Sequence, residues 1–114
     1  MLLIQGVGIA GCGWRPQVEA LADRCRVVTF DNRGIGGTPL VGALSIERMA
    51  GDARALMDAL GIERAHVVGH SMGGVIAQAL ALAAPTRVAS LALLCTVARG
   101  KDATAMTPDI VWLG

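Results

Sequence analysis

An α/β fold with a parallel sheet follows from three features of the sequence. Four short runs rich in Val, Ile and Leu are separated by segments of helical period. The runs are continuously apolar instead of alternating, the mark of strands buried on both faces. Each is joined to the next by enough chain for a right-handed crossover helix rather than a hairpin.

Residues 2–5 form the first predicted strand. A glycine-rich loop follows, then a helix over about 14–23, whose Val18, Leu21 and Ala22 share a face with Cys25 just beyond. Residues 26–30 (RVVTF) are β-branched and make the second strand, closed by the loop DNRGIGGTP. The clearest helix comes next. Ser45 suits its N-cap and Glu47 its first turn; Ile46, Met49, Ala50, Ala53, Leu56, Met57 and Leu60 keep helical spacing, and Gly61 suits the left-handed position after it. AHVVG is the third strand. Residues 72–83 form an apolar helix ended by Pro85, and residues 88–95 the fourth strand. After Thr96 the periodicity stops, so residues 1–98 read as the folded core and 99–114 as a loop or the start of another region.

Composition narrows the function. A chain of 114 residues is one domain at most, and 54% hydrophobic content is too high for disorder. The net charge of +1 comes without a basic cluster, which argues against nucleic acid or an anionic membrane as partner. Trp14, Phe30 and Trp112 are the whole aromatic set, too few for base stacking. Cys12, Cys25 and Cys95 form no close pair and read as reduced thiols in or near the core of a cytoplasmic protein, with no metal site. The apolar stretch 75–98 would place Gln78, Pro85 and Arg87 in a bilayer, so no span is expected, and the opening residues lack a basic leader pattern.

Two motifs compete for the chemistry. Gly6, Gly8 and Gly11 match G-x-G-x-x-G after a strand, with Asp31 placed 20 residues beyond, where a dinucleotide site holds a ribose hydroxyl. Against it, the helix of such a site begins inside the glycine run, where its amides meet the pyrophosphate. Here Gly13 and Pro16 would fall in that helix, and an interior proline costs about 3 kcal/mol. The second motif is Gly69-His70-Ser71-Met72-Gly73, a G-x-S-x-G that follows a β-branched strand and opens a helix. A serine on so sharp a turn takes strained backbone angles, and its neighbours two before and two after must be small. Ser71 Oγ is then presented over the positive end of a helix, with the Met72 N–H directed at the same spot as an oxyanion donor.

Taken together, LLIQGVG, DNRGIG, IERAHVVGHSMGG with VIAQALAL, and PTRVASLALLCT resemble the front half of an α/β-hydrolase-fold protein, most nearly its esterase, lactonase and cofactor-free haloperoxidase-like members. The resemblance covers nearly the whole chain, from the third strand of that fold to just past the sixth. It implies a partial α/β-hydrolase fold of about four parallel strands, a fragment without the remaining strands and with residues 99–114 leading into a cap. It implies Ser71 as nucleophile, Gly69 and Gly73 as the elbow glycines, and a small-molecule acyl substrate without a cofactor. Gln5-Gly6-Val7 then stands where the family carries His-Gly-x, so the Val7 N–H is the second oxyanion donor. Sheet edges left open in such a half would invite self-association.

A triad also needs a base and an acid. His66 lies five residues before Ser71 along the strand, roughly 16 Å away at ~3.3 Å per residue. His70 is adjacent, and successive side chains diverge. Asp102 and Asp109 read as loop charges, Asp31 and Arg33 as a structural turn, and Asp52 as a solvated helix face. The nucleophile is thus expected without its base or acid. Two non-hydrolase readings remain at this level: a binding module that has lost catalysis, and the dinucleotide-binding βαβ unit.

Overall fold

The computed structural model describes residues 1–99 and 101. Asp102, Asp109, Trp112 and nearly all of the expected 99–114 region lie outside the described residues. Strands β1 (Leu2–Ile4), β2 (Val28–Thr29), β3 (Ala65–His70) and β4 (Val88–Leu94) form one sheet in the order β2-β1-β3-β4, and every pairing is parallel. Helices α1 (Arg15–Leu21), α2 (Ile46–Ala59) and α3 (Met72–Ala83) provide the crossovers, with 3₁₀ turns at Gly11–Trp14 and Pro85–Arg87.

The core lies between the sheet and the α2–α3 layer. Leu2, Ile4, Ala65 and Val67 face Met49, Ala50, Ala53, Met57, Ile76, Ala77 and Leu80, all buried. Leu3 is equally buried on the opposite face, so β1 is apolar on both sides because both are covered. Helix α2 forms for the reasons its sequence gives. Ser45 Oγ accepts the Arg48 N–H at 3.1 Å. At the other end Gly61 takes φ 68°, while Ile62 N–H reaches Met57 O and Gly61 N–H reaches Asp58 O, the paired bonds of a Schellman cap.

Some expectations need correction. The second strand shrinks from five residues to Val28–Thr29, because the chain on either side leaves the edge of the sheet to form loops. No residue of α1 is buried; its Val18 and Leu21 are only half-covered, since it lies at the sheet margin. Strand β4 is not buried on both faces: Leu91, Leu93 and Leu94 are 37–42% exposed along an open edge. Cys12 and Cys95 are exposed and Cys25 half-buried, so the thiols are not core residues. Cys12 sits in the 3₁₀ turn, and Cys95 takes φ 47° just past the end of β4. No helix among the described residues is long and apolar enough to cross a membrane.

Candidate active site

Parallel strands deliver their C-terminal ends to one edge of the sheet, and that edge is where the two glycine motifs meet. In register, Ile4 pairs with Gly69 and Gly69 with Leu93. The loop after β1 therefore runs beside the turn between β3 and α3. A Cβ added to Gly6 would lie 3.1 Å from Ser71 Cβ and 3.5 Å from Ser71 Oγ. The glycine loop and the serine thus face each other.

Ser71 occupies the strand-to-helix turn with φ 55° and ψ −122°, a backbone region that L-residues adopt only under constraint. Three bonds supply the constraint. Its N–H donates to Leu94 O at 2.9 Å, and its carbonyl accepts from Thr96 Oγ1 at 2.6 Å and from Gly74 N–H at 2.9 Å. The small neighbours are a steric necessity. A Cβ on Gly69 would stand 2.3 Å from Gly73 O, and one on Gly73 would stand 2.1 Å from Ile4 O. Both obstacles are backbone and cannot swing aside. Ser71 itself is exposed, and its Oγ has no hydrogen-bond partner among the described residues. The N–H groups of Val7 and Met72 likewise donate to no acceptor there. One serine hydroxyl and two uncommitted amides therefore share one edge.

Two hollows flank this point. One, of about 310 Å³, is lined by Val7, Gly8, Arg33, Ile35, Leu44, Ser45, Ile46, Met49 and Met72. The other, of about 340 Å³, is lined by Ile46, Ser71, Met72, Val75, Cys95, Thr96 and Val97. Ile46 and Met72 belong to both and form the divide. A further hollow of about 440 Å³ between α2 and α3 includes none of the loop residues around Ser71.

The histidines are engaged elsewhere. His66 is exposed, and its Nδ1 pairs with Ser90 Oγ at 2.7 Å across β3 and β4. It is neither in the core nor near the turn. His70 Nδ1 lies 3.1 Å from Gln5 Oε1, and its ring meets Trp14 edge-on at 6.3 Å. Neither makes a hydrogen bond to Ser71 Oγ.

Asp31 has the structural role expected of it. Its carboxylate accepts the Gly11 N–H at 2.7 Å and the Gly37 N–H at 3.0 Å, joining two loops. The Gly37 bond first, and then that of Gly11, hold its pKa below the ordinary carboxylate value against a small opposing effect of burial. A carboxylate so occupied is not presented to a ribose. The glycine run also ends in a 3₁₀ turn, with α1 starting only at Arg15 and Pro16 in its first turn. The dinucleotide reading loses both of its requirements. Arg33 and Asp52 form a bidentate pair, at 2.9 Å from Nε and 2.6 Å from Nη2, while Arg33 Nη1 reaches Val41 O. The hydrogen bond to Asp52 raises the pKa of Arg33, with its charge adding to the effect. Asp52 is thus a partner and not simply a solvated charge. No group of three or more His, Cys, Asp or Glu side chains among the described residues is arranged to hold a metal ion.

The alpha/beta hydrolase fold family matches residues 1–113. The chain belongs to that family. The RutD protein of Azorhizobium caulinodans, named as a carbamate hydrolase, is 47% identical over 95 residues, covering 82% of this chain and 36% of the relative. A protein of Mycobacterium tuberculosis named as the non-heme bromoperoxidase BpoC is 46% identical over 101 residues, covering 87% and 38%. The crystal structure of the enol-lactonase from Burkholderia xenovorans LB400 superposes with a TM-score of 0.81 at 40% identity, covering 86% of this chain and 38% of that one. The chain therefore spans little more than a third of the length of these hydrolase-family relatives.

Two features of the site had no signal in the sequence. Thr96 bonding the Ser71 carbonyl requires the β3–β4 register, which no local pattern encodes. The Gln5 side chain, read only as a departure from the family's histidine, proves to be buried and bonded.

Proposed function

We propose that the chain carries the nucleophile half of a serine hydrolase acting on an ester, lactone, carbamate or related acyl bond. The observation that carries this reading is Ser71 at φ 55° on a strand-to-helix turn, with two undonated amides, Val7 and Met72, beside it. Backbone strain at a non-glycine residue persists only where its surroundings enforce it, and here three hydrogen bonds do so. In the reaction, Ser71 Oγ attacks the carbonyl carbon, its proton passes to a general base, and the carbonyl oxygen becomes an oxyanion. The Val7 and Met72 amides and the positive end of α3 stabilise that charge. The names of the relatives, a carbamate hydrolase and an enol-lactonase among them, support an acyl-transfer class. The two apolar hollows supply room for the groups on either side of the scissile bond.

The base is assigned to sequence outside these 114 residues, because both histidines are held by other partners. The same observation favours a second reading, in which the chain alone is a non-catalytic binding module. Complementation separates the two. The remaining two-thirds of a close relative, supplied as a separate chain with its acid and histidine, restores turnover of an activated aryl ester, and Ser71→Ala abolishes it. Restored turnover that survives Ser71→Ala overturns the nucleophile assignment.

A further inference from the structure

We propose that the Gln5 side chain is the positioning group of the loop that carries Val7, and that it sets the loop by holding His70 with its proton on Nδ1. The purpose of the arrangement rests on the reading of Val7 N–H as an oxyanion donor; its geometry is independent of that reading.

Gln5 follows β1 and is only 6% exposed, yet every bond around it is directed. Its Oε1 accepts the N–H of Gly6 at 3.0 Å and lies 3.1 Å from His70 Nδ1. The Gly6 bond identifies the atom. A backbone N–H requires an acceptor, so this end of the carboxamide is its oxygen. That oxygen carries no proton, so His70 Nδ1 must donate one; in the neutral ring this is the Nδ1–H form, with Nε2 as the acceptor. The edge of buried Trp14 against the ring at 82° restricts its rotation. The Gln5 carbonyl is held as well, accepting from Nδ2 of Asn32 at 3.0 Å, and Asn32 is 2% exposed.

The Gln5–Gly6 peptide is thus held at both of its polar groups. Turning the Gly6 N–H inward removes it from the Ser71 side and leaves Val7 as the next amide free to donate. The start of the loop packs on the serine turn, since a Cβ built on Gly6 would lie 3.1 Å from Ser71 Cβ. His70 immediately precedes Ser71, so a single oxygen ties the loop carrying Val7 to the chain carrying the hydroxyl. A Gln that merely filled space would need neither bond.

The test is nuclear magnetic resonance on the 114-residue chain. In the native chain, long-range nitrogen–proton correlations show His70 protonated on Nδ1. The Gly6 amide exchanges on the order of 100-fold more slowly than that of Val7. Gln5→Met keeps the volume and removes the acceptor: the Nδ1 proton signature is lost and the Gly6 protection collapses. Gln5→Glu restores both, because a carboxylate oxygen accepts the same two bonds. A native His70 protonated only on Nε2, or a Gly6 amide that exchanges as fast as that of Val7, overturns the proposal. Gln5→Met with unchanged signals also overturns it. Should Gln5→Met fail to fold, the two native-chain measurements decide alone. Ser71→Ala leaves all of these signals in place, so failure of the nucleophile reading is seen separately, in the complementation assay.

Discussion

Ser71 shows how little freedom a single residue has at this edge. Its φ of 55° is a conformation that glycine adopts without penalty, so Ser71→Gly should stabilise the fold by about 1 kcal/mol while removing the hydroxyl. Gly73→Ala should do the reverse. Its new Cβ would meet Ile4 O at 2.1 Å and Gln5 O at 2.7 Å, both fixed in or beside the central strand, and the expected loss is about 3 kcal/mol. Urea midpoints of the two variants should move in opposite directions. Asp31 adds a dependence on pH. Its folded pKa is depressed, so its contribution is present above the unfolded carboxylate value and disappears as pH falls through the folded one. Asp31→Asn should therefore be less stable than the native chain near pH 7, with the gap narrowing towards about pH 3. A gap that stays constant over that range would remove the carboxylate's charge from the account.

At the level of elements, legibility in the sequence followed the number of independent signals each segment carries. Helix α2 has a capping serine, an apolar stripe and a C-terminal glycine, and all three stand where the sequence places them. Helix α3 begins at Met72 and ends before Pro85 for equally local reasons. The strand-to-helix placement of Ser71 was legible because the small residues at 69 and 73 are demanded by backbone contacts within 3 Å. What stayed hidden depends on pairing across the sheet. The Thr96 and Gln5 bonds join residues distant in sequence, and the exposure of β4 depends on which strand stands beside it. Within α2 one residue is out of keeping with its place. Gly51 sits in the helix interior, and a Cβ there meets nothing within 4 Å. Gly51→Ala should raise stability by about 0.5–1 kcal/mol through the unfolded state, read as a higher urea midpoint with an unchanged slope. A decrease would mean that an unseen contact constrains the position.

Across the whole molecule, the sheet ends in two edges of different character. Strand β2 pairs over two residues only, whereas β4 offers seven, with Leu91, Leu93 and Leu94 partly exposed. An edge of that length and polarity is a template for another chain. The isolated chain is therefore expected to self-associate in sedimentation, and Leu93→Lys should shift it towards monomer. A dispersed native monomer at high concentration would show that the edge is not adhesive.

Activity belongs to this scale too, since under the proposed function Ser71 is a nucleophile that takes its base from outside these 114 residues. Ser71 Oγ has no bonded imidazole, so it should remain a protonated alcohol, and loss of a triad typically costs on the order of 10⁶ in kcat. The Val7 and Met72 amides can still meet an oxyanion, leaving at best roughly 10³-fold acceleration over water. The chain alone should thus show almost no turnover of an activated aryl ester. In the complemented protein, His66→Ala should leave turnover largely intact, since that ring is committed to Ser90 at the far end of β3. Robust turnover by the isolated chain, abolished by His70→Ala, would place the base at His70 and overturn the assignment of the base to sequence outside these residues. The two histidine variants therefore discriminate between a base supplied from outside these residues and one already beside the serine.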